Sequence, residues 1–297
     1  MLSHKTVYLN SAFQLVEILS PVGPNGLREK TRLFRGQYDA DFGLVPSTHR
    51  AAGLGSAQAY YGKSDITVSE QIQFEAALLQ EFLNACDASG LAVAGDNAEI
   101  RNMIKDAEHY YAQSWLWPPN AMDPLLAVAQ HHGCPTCLLD WSRRGFVAAY
   151  FGASEATKQV SPPSHLAVWE LNTHDVEPYS GLSLVELPGG VSRNLAAQAG
   201  VFTVIRMVDH LDGMFQPQTI GHIDTTSQSV TISLRKYILP ISEAVTLLDI
   251  LEQFGVSGAT LFPGFEGVGH QVAVWAAKKR SLPNEKPHPQ VWPKISK

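Results

Sequence analysis

The run Leu166-Ala167-Val168-Trp169-Glu170-Leu171 is the strongest strand signal in the chain, because it sets Val168 and Trp169 in a nearly continuous apolar run. Further strand-like runs cover residues 31–36, 182–187, 201–207 and 230–239. Apolar residues at helical spacing cover 8–19, 69–86, 98–113, 123–132, 145–157, 242–254 and 267–279. Helices first and strands later predict an α+β fold, with a helix-rich N-terminal half around a mixed or antiparallel sheet formed mainly by the C-terminal half.

Composition places the chain among globular proteins. Its 297 residues are 45% hydrophobic and 17% charged, and 22 basic against 28 acidic residues give a net charge of −6. That balance argues against a dedicated nucleic-acid binder, which is usually basic. No run approaches the roughly 20 apolar residues that span a bilayer, so no membrane partner is expected. Three cysteines cannot all pair, and the N-terminus does not resemble a secretory signal, which together predict a cytoplasmic protein.

The domain organisation is predicted to be simple. Residues 1–280 are expected to form a single domain, because they contain no repeat and no low-complexity linker. Residues 281–297 contain four prolines and few apolar residues that could pack on a core. They are therefore predicted to form an extended tail. The basic residues 278–280 are predicted to end a helix, where positive charge suits the macrodipole.

The first group of candidate site residues is Phe34-Arg35-Gly36-Gln37, which is followed by a second arginine, Arg50. An arginine at the end of a short strand can direct a guanidinium at an anion, and a glycine beside it allows a ligand to approach the backbone. The alternative is a structural salt bridge with a turn glycine.

The second group of candidate site residues extends from Gln130 to Trp141 and has the sequence Gln-His-His-Gly-Cys-Pro-Thr-Cys-Leu-Leu-Asp-Trp. Its Cys-x₂-Cys pair could serve zinc, but no second ligand pair lies at a suitable distance, so no metal is predicted. A redox dithiol is the other alternative, and its usual strand-before, helix-after context is missing. The favoured interpretation is a helix that ends at Gly133, followed by a tight proline turn, with Asp140 and Trp141 either facing a cleft or locking the turn. Alternatively, Asp140 pairs with one of the arginines at 35, 50, 143 and 144.

No nucleophile or metalloprotease motif occurs in the chain. Glu266 stands between glycines in residues 262–267, where a loop can present a carboxylate to a pocket. The alternative is an acidic residue that stabilises the start of a helix.

These residues resemble the FRG domain family, named for a Phe-Arg-Gly triplet. The resemblance spans roughly residues 8–275. It rests on 34–37, 44–47, Arg50, 130–133, 135–136, 138–141, 149–151, Asn194, Gln198, Gly200, Phe202, 261–263 and Gly267. Cys137 and Asn194 stand where the family commonly has arginine, so a phosphate site built from those positions would be weaker here. The family often accompanies phage and mobile-element genes, and the resemblance implies a fold better than a reaction.

The Arg-Gly pair is also similar to the Arg-Gly on the first strand of ADP-ribosyltransferases of the Arg-Ser-Glu type. This similarity implies that the α+β fold could be ADP-ribosyltransferase-like. It implies that Arg35 and Arg50 bind the phosphates of NAD, that Gly36 supplies backbone contacts, and that Glu266, less so Glu170 or Glu186, stabilises the transition state. The remaining implied binding residues are Gln37, Gln130, His131, Thr136, Asp140, Trp141 as a stacking face, and Gln198. Either His131 or His132 is expected to bond a ribose hydroxyl, and His132 is counted with Glu266 as catalytic.

The leading functional hypothesis is therefore an NAD-using ADP-ribosyltransferase-like protein or NAD glycohydrolase of phage defence or intracellular toxin type. It would take NAD as its substrate without a metal, and a protein or nucleic acid could be the acceptor. The alternative is a non-catalytic sensor or interaction module that binds a nucleotide, a nucleic acid end or a phage protein. A third interpretation makes Arg35, Asp140 and Gln130 a purely structural network.

Overall fold

A computed structural model describes residues 4–23, 31–51, 55–173, 182–187, 193–206, 213–217, 219–220 and 234–281. Within these residues the chain forms a mixed sheet with helices packed on it, which confirms the α+β class. Except for residue 281, the predicted tail lies outside the described residues, as do residues 230–233 of one predicted strand.

The sheet has seven strands in the order β1-β7-β4-β2-β3-β6-β5. The strands are β1 Lys5–Tyr8, β2 Arg32–Gln37, β3 Leu138–Ser142, β4 His165–Asn172, β5 Leu182–Val185, β6 Gly200–Ile205 and β7 Leu234–Pro240. Only β1 and β7 pair in parallel, and the other neighbours pair antiparallel. Four of the seven strands come from the C-terminal half, as predicted.

The helices occupy both halves of the chain. They are α1 Ala12–Leu19, α2 Ala57–Tyr61, α3 Val68–Ala88, α4 Ala98–Lys105, α5 Asp123–His131, α6 Gly145–Lys158, α7 Arg193–Gln198, α8 Ala244–Gln253, α9 Gly258–Leu261 and α10 Phe265–Ser281. The predicted helix over 98–113 ends early, because the backbone leaves helical geometry at Asp106, and a 3₁₀ turn follows over Ala107–Tyr110. The predicted helix over 8–19 begins only at Ala12, with Ser11 as its N-cap, because β1 occupies the preceding residues.

The strand that follows the predicted proline turn was not predicted from the sequence. The helix ends as expected beside Gly133, which has a φ of 86°, but residues 138–142 form β3, whose five pairs with β6 place it inside the sheet. Its sequence Leu-Leu-Asp-Trp-Ser is short and is interrupted by a charged residue, so the periodicity of a strand is hidden.

Two groups of helices cover one face of the sheet. Helices α1, α6 and α8 pack with Phe34 of β2 and with β4 and β7, whereas α3, α4 and α5 pack with Leu138 of β3 and with β5 and β6. Phe34 pairs with Ser142, which shares a face with Leu138 because side chains alternate along a strand. The boundary between the two groups therefore lies over the junction of β2 and β3.

Candidate functional site

The sheet opens where β2 meets β3. These strands pair at a single position, Phe34 with Ser142, whereas β2 pairs with β4 along all six of its residues. Beyond that position, Arg35 bridges the opening: its Nη1 donates to the carbonyl oxygen of Asp140 at 2.7 Å and lies 3.4 Å from Oδ2 of the same residue. The side chain of Arg35 thus replaces part of the backbone hydrogen bonding that is missing between β2 and β3, and it lies on the floor of a cleft.

Arg35 and Asp140 are unusual for residues inside a sheet. The Nε of Arg35 is buried and has no hydrogen-bond partner among the described residues. Asp140 is the exposed position of an otherwise buried strand, with 58% of its side chain exposed. A buried donor without an acceptor is costly, by about 1–3 kcal/mol, so the site favours a ligand that supplies an acceptor. The predicted pairing of Asp140 with an arginine is found, although the carboxylate is exposed.

A first cavity of about 370 Å³ lies over this opening. It is lined by Phe34, Arg35, Gly36, Gln130, His131, Asp140, Trp141, Ser142, Ala148, Phe151, Asn194, Leu195, Gln198, Gly200, Val201, Phe202, Phe262 and Glu266. Its floor comes from β2, β3 and β6, and its walls come from α5, α6, α7 and the start of α10. The cavity therefore separates the two groups of helices.

A second cavity of about 370 Å³ shares Arg35, Gly36, Phe151 and Phe262 with the first. Its other lining residues are Gln37, Tyr38, Phe42, Arg50, Tyr150, Ser154, Glu155, Lys158 and His270. The two cavities thus meet at the Arg-Gly pair.

The electrostatics of the second cavity favour an anion. Arg35 and Arg50 lie close enough that burial, and then the charge of Arg35, lower the pKa of Arg50. Lys158 adds a third basic group, although Glu155 pairs with it at 3.0 Å. Two guanidinium groups that repel each other are relieved by an anion placed between them.

His131 lines the first cavity and has a lowered pKa. Its burial, and then His132, lower its pKa, against the opposing influence of Asp140 and Glu266. The ring is therefore neutral at pH 7, so it can accept a hydrogen bond as well as donate one.

Gly36 is required by packing. A β-carbon on Gly36 would lie 1.9 Å from the carbonyl oxygen of Ala148 and 2.7 Å from the amide nitrogen of Gly152. The glycine therefore lets α6 rest directly on β2 beside the cleft, whereas the sequence had indicated close approach of a ligand.

Three of the predicted binding residues form hydrogen bonds that connect the elements around the first cavity. Gln130 Nε2 donates to the carbonyl of Leu138 at 3.3 Å, and its Oε1 accepts from Thr136 Oγ1. These bonds join the end of α5 to β3. Gln198 Nε2 donates to the carbonyl of Leu261 at 3.1 Å and so joins α7 to α9.

A buried polar network supports Arg50 from behind. The carboxylate of Glu75 on α3 accepts from Thr48 Oγ1 at 2.9 Å, Gln71 Nε2 at 2.9 Å and Trp117 Nε1 at 2.9 Å, and His49 Nε2 lies 3.1 Å away. Burial raises the pKa of Glu75, but these hydrogen bonds and His49 outweigh it, so the net pKa lies below its usual value. The network fixes the 3₁₀ turn Ser47–His49, which leads directly into Arg50.

The structure brings most predicted site residues together. Arg35, Gly36, Gln130, His131, Asp140, Trp141, Gln198 and Glu266 line the first cavity, and Gln37 and Arg50 line the second. His132 and Thr136 line neither cavity. Trp141 is only 3% exposed and its Nε1 donates to Thr203 Oγ1 at 2.8 Å, so it offers no open face for stacking. Gln37 is occupied on both sides, by Trp169 and by the carbonyl of Gly43.

The three candidate acidic residues differ in their contacts. Glu170 is buried and is held by Arg32 Nη2 at 2.7 Å and by Tyr237 Oη at 2.6 Å. Glu186 pairs with Arg143. Glu266 lies in the first turn of α10, 3.7 Å from His270 Nε2, and its side chain is 65% exposed.

Two aromatic residues on the wall that both cavities share were not predicted as site residues. Phe151 and Phe262 lie with their ring centroids 6.0 Å apart, edge to face. Phe262 also stacks on His270 at 4.3 Å. Both phenylalanines belong to the motifs of the family resemblance, which was the one signal that could have identified them.

The Cys-x₂-Cys pair is the segment that the sequence offers for metal or redox chemistry. Cys86, Cys134 and Cys137 are free thiols, and no cluster of three potential metal ligands occurs among the described residues. Burial raises the pKa of Cys134 to about 11 and that of Cys137 well above its ordinary value. Thiols of this kind are poor nucleophiles.

The fold and cleft define an α+β protein whose sheet opens at an arginine-glycine pair between two groups of helices. Residues 30–161 match the family model described as FRG domain. The matched segment contains β2, β3 and α6, and with them Arg35, Gly36 and Asp140. No curated protein and no solved structure matches the chain. None of the described helices is long and apolar enough to cross a membrane.

Proposed function

We propose that the two cavities together bind NAD and that the bond between nicotinamide and ribose is broken in the first cavity. The observation that carries this proposal is the meeting of two cavities, each of about 370 Å³, at Arg35. NAD has the matching organisation, since two nucleoside halves are joined by a charged pyrophosphate. In this arrangement the pyrophosphate lies at the junction.

The junction supplies the groups that a pyrophosphate requires. Arg35 offers its Nε, which has no hydrogen-bond partner within the described part of the chain, and Arg50 faces the same space from the second cavity. Charge-assisted hydrogen bonds from guanidinium to phosphate are among the strongest in proteins. Tyr38 and Phe42, which lie edge to face at 5.1 Å, offer aromatic surface to the adenine half.

The first cavity supplies groups for bond cleavage. Phe151 and Phe262 offer apolar contact to the nicotinamide ring, and neutral His131 can accept a hydrogen bond from a ribose hydroxyl. When the glycosidic bond breaks, its electron pair leaves with nicotinamide and positive charge develops on the ribose. Glu266 is assigned to stabilise that charge, and Asp140 adds a second negative charge nearby. Water or an acceptor side chain then forms the new bond to the same carbon and loses one proton to the solvent.

Nicotinamide release from NAD tests the proposal. The purified protein is incubated with NAD, and nicotinamide and ADP-ribose are separated by chromatography, with and without cell extract as a source of acceptors. Glu266→Gln is expected to abolish release without unfolding the protein. Glu99→Gln is the matched control, because Glu99 is also an exposed acid in the first turn of a helix but lies outside both cavities. Equal release by both variants would contradict the role of Glu266.

The biological setting is part of the same proposal. A protein of this kind would act in the cytoplasm, in phage defence or as a toxin, by consuming NAD or by modifying a protein or nucleic acid. Cellular NAD should then fall after induced expression of the wild type and stay constant with Glu266→Gln. Constant NAD together with ADP-ribose on a macromolecule would assign transfer over hydrolysis.

A second candidate function is binding without chemistry, and the position of Glu266 favours it. Its carboxylate is 65% exposed, and His270 Nε2 lies 3.7 Å from it. A nucleotide sensor needs only the two arginines. In that case NAD or a related nucleotide raises the melting temperature of the protein without releasing nicotinamide.

A further inference from the structure

Helix α10 leaves an apolar face uncovered. Phe265 is 95% exposed, Trp275 60%, Val272 58% and Val268 52%. These four residues, called the α10 stripe below, recur at intervals of three and four residues, so they lie along one side of the helix. Scattered apolar residues are normal on a surface, but a continuous row along a 17-residue helix marks an interaction surface.

The opposite side of α10 already holds the helix in the fold. Val274 and Ala277 are buried, and a β-carbon on Gly267 would lie 1.9 Å from the carbonyl oxygen of Phe262. The α10 stripe therefore is not needed to dock the helix on its own domain. It is available for a partner.

The surroundings of the stripe fit close approach of another helix. Gly269, Ala273 and Ala276 are exposed beside it. Small residues allow two helix backbones to approach, and the large side chain of Trp275 of one helix can then lie over the small residues of the other. The interval pattern of three and four is also the pattern of a two-helix seam.

The charges along α10 indicate which helix fits. Glu266 lies in the first turn, Lys279 and Arg280 lie in the last turn, and no Asp, Glu, Lys or Arg occurs from 267 to 277. An antiparallel copy of the same helix places Glu266 beside Arg280 of the partner subunit, twice by symmetry. Antiparallel helix dipoles add to this complementarity. An isologous contact requires a self-complementary surface of this kind.

We propose that the protein forms a symmetric dimer through antiparallel pairing of α10, with the α10 stripe at its centre. The two aromatic side chains would bury roughly 300 Å² per copy. A standard interface buries about 800 Å² per partner, so the stripe alone gives a weak and reversible dimer. The proposal shares Glu266 with the proposed function, but the four residues of the α10 stripe line neither cavity.

Sedimentation velocity of the full chain from about 1 to about 100 µM tests the association, a range that covers the affinities of small interfaces. The wild type is expected to shift from monomer to dimer across this range. Val272→Glu should weaken the dimer at least tenfold without lowering the melting temperature. Leu91→Glu is the control, because Leu91 is equally apolar and 63% exposed but lies outside α10, and it should leave the dimer unchanged. A wild type that stays monomeric at the highest concentration would overturn the proposal.

A charge exchange tests the antiparallel register. Glu266→Arg and Arg280→Glu each place like charges beside one another and should each weaken the homodimer. A mixture of the two variants restores both pairs in a heterodimer, which should form more tightly than either homodimer. Two variants that dimerise as well as the wild type, or a mixture that shows no preference for the heterodimer, would refute the antiparallel pairing.

Discussion

Replacing Glu75 with alanine should destabilise the protein strongly, because one buried carboxylate serves four side chains. Thr48, Gln71 and Trp117 donate to it, and His49 lies 3.1 Å away. Removing it leaves these groups buried without their acceptor. The loss of one partner from a buried charged network costs about 3–5 kcal/mol in the free energy of unfolding.

Glu75→Gln should cost less, about 1–3 kcal/mol, since it retains one acceptor oxygen but turns an NH₂ group toward donors. Glu81→Ala is the matched control, because Glu81 lies on the same helix and is exposed. Urea denaturation followed by circular dichroism measures all three variants. At about 2 °C per kcal/mol, the alanine variant should also melt about 6–10 °C lower.

The acid dependence of stability follows from the same carboxylate. The pKa of Glu75 is lower in the folded protein than its ordinary value of 4.5. The stability it contributes is therefore fully present above about pH 4.5 and is lost as the pH falls through the folded pKa. Glu75→Gln should flatten the stability profile in that range. A loss below about 1 kcal/mol for Glu75→Ala would refute the assignment of this network as the support of the Arg50 turn.

Three further predictions concern packing, hydrogen bonding and thiol reactivity. Gly36→Ala should lower the free energy of unfolding by about 1–3 kcal/mol in urea denaturation, because its new methyl group meets the backbone of α6. Gly43→Ala is the control. The nearest atom to a β-carbon on Gly43 lies 3.6 Å away, so this variant should be nearly neutral in the same assay. Tyr237→Phe removes the hydroxyl that donates to buried Glu170 at 2.6 Å and should cost about 1.5–3 kcal/mol in the same assay. Cys134, whose pKa is raised to about 11 by burial, should react with iodoacetamide at pH 8 about 100-fold more slowly in the folded than in the unfolded protein, as measured by peptide mass spectrometry.

Each of these predictions has a clear contrary result. Equal effects of the two glycine variants would show that α6 can move away from β2. A neutral Tyr237→Phe would show that the bond to Glu170 adds nothing net to stability. Rapid labelling of Cys134 would show that its site opens readily to solvent.

The strand at 165–172 could be predicted from the sequence, because burial on both faces produces a nearly continuous apolar run. The neighbouring strand β3 could not. Asp140 interrupts it, and that residue is exposed only because β2 and β3 separate at this point. Separation of two strands is a tertiary feature, and no local pattern in β3 encodes it.

The candidate site was predictable to a similar extent. Arg35 and Asp140 stood out because charged residues within apolar runs need a partner. The Glu75 network did not stand out, because its partners lie 42, 27, 26 and 4 residues away in sequence and its helix has ordinary amphipathic spacing. The role of Gly36 was also hidden, since a glycine that is needed for packing looks the same in sequence as one needed for ligand approach.

Equilibrium binding of NAD measured by titration calorimetry tests the central claim most directly. The wild type is expected to bind NAD more tightly than either AMP or nicotinamide mononucleotide, because only the dinucleotide fills both cavities. Arg35→Gln should weaken NAD binding at least tenfold, about 1.4 kcal/mol, because it removes the charge at the junction. Arg144→Gln, an exposed arginine outside both cavities, is the control. A folded Arg35→Gln variant that binds NAD as tightly as the wild type would contradict the account.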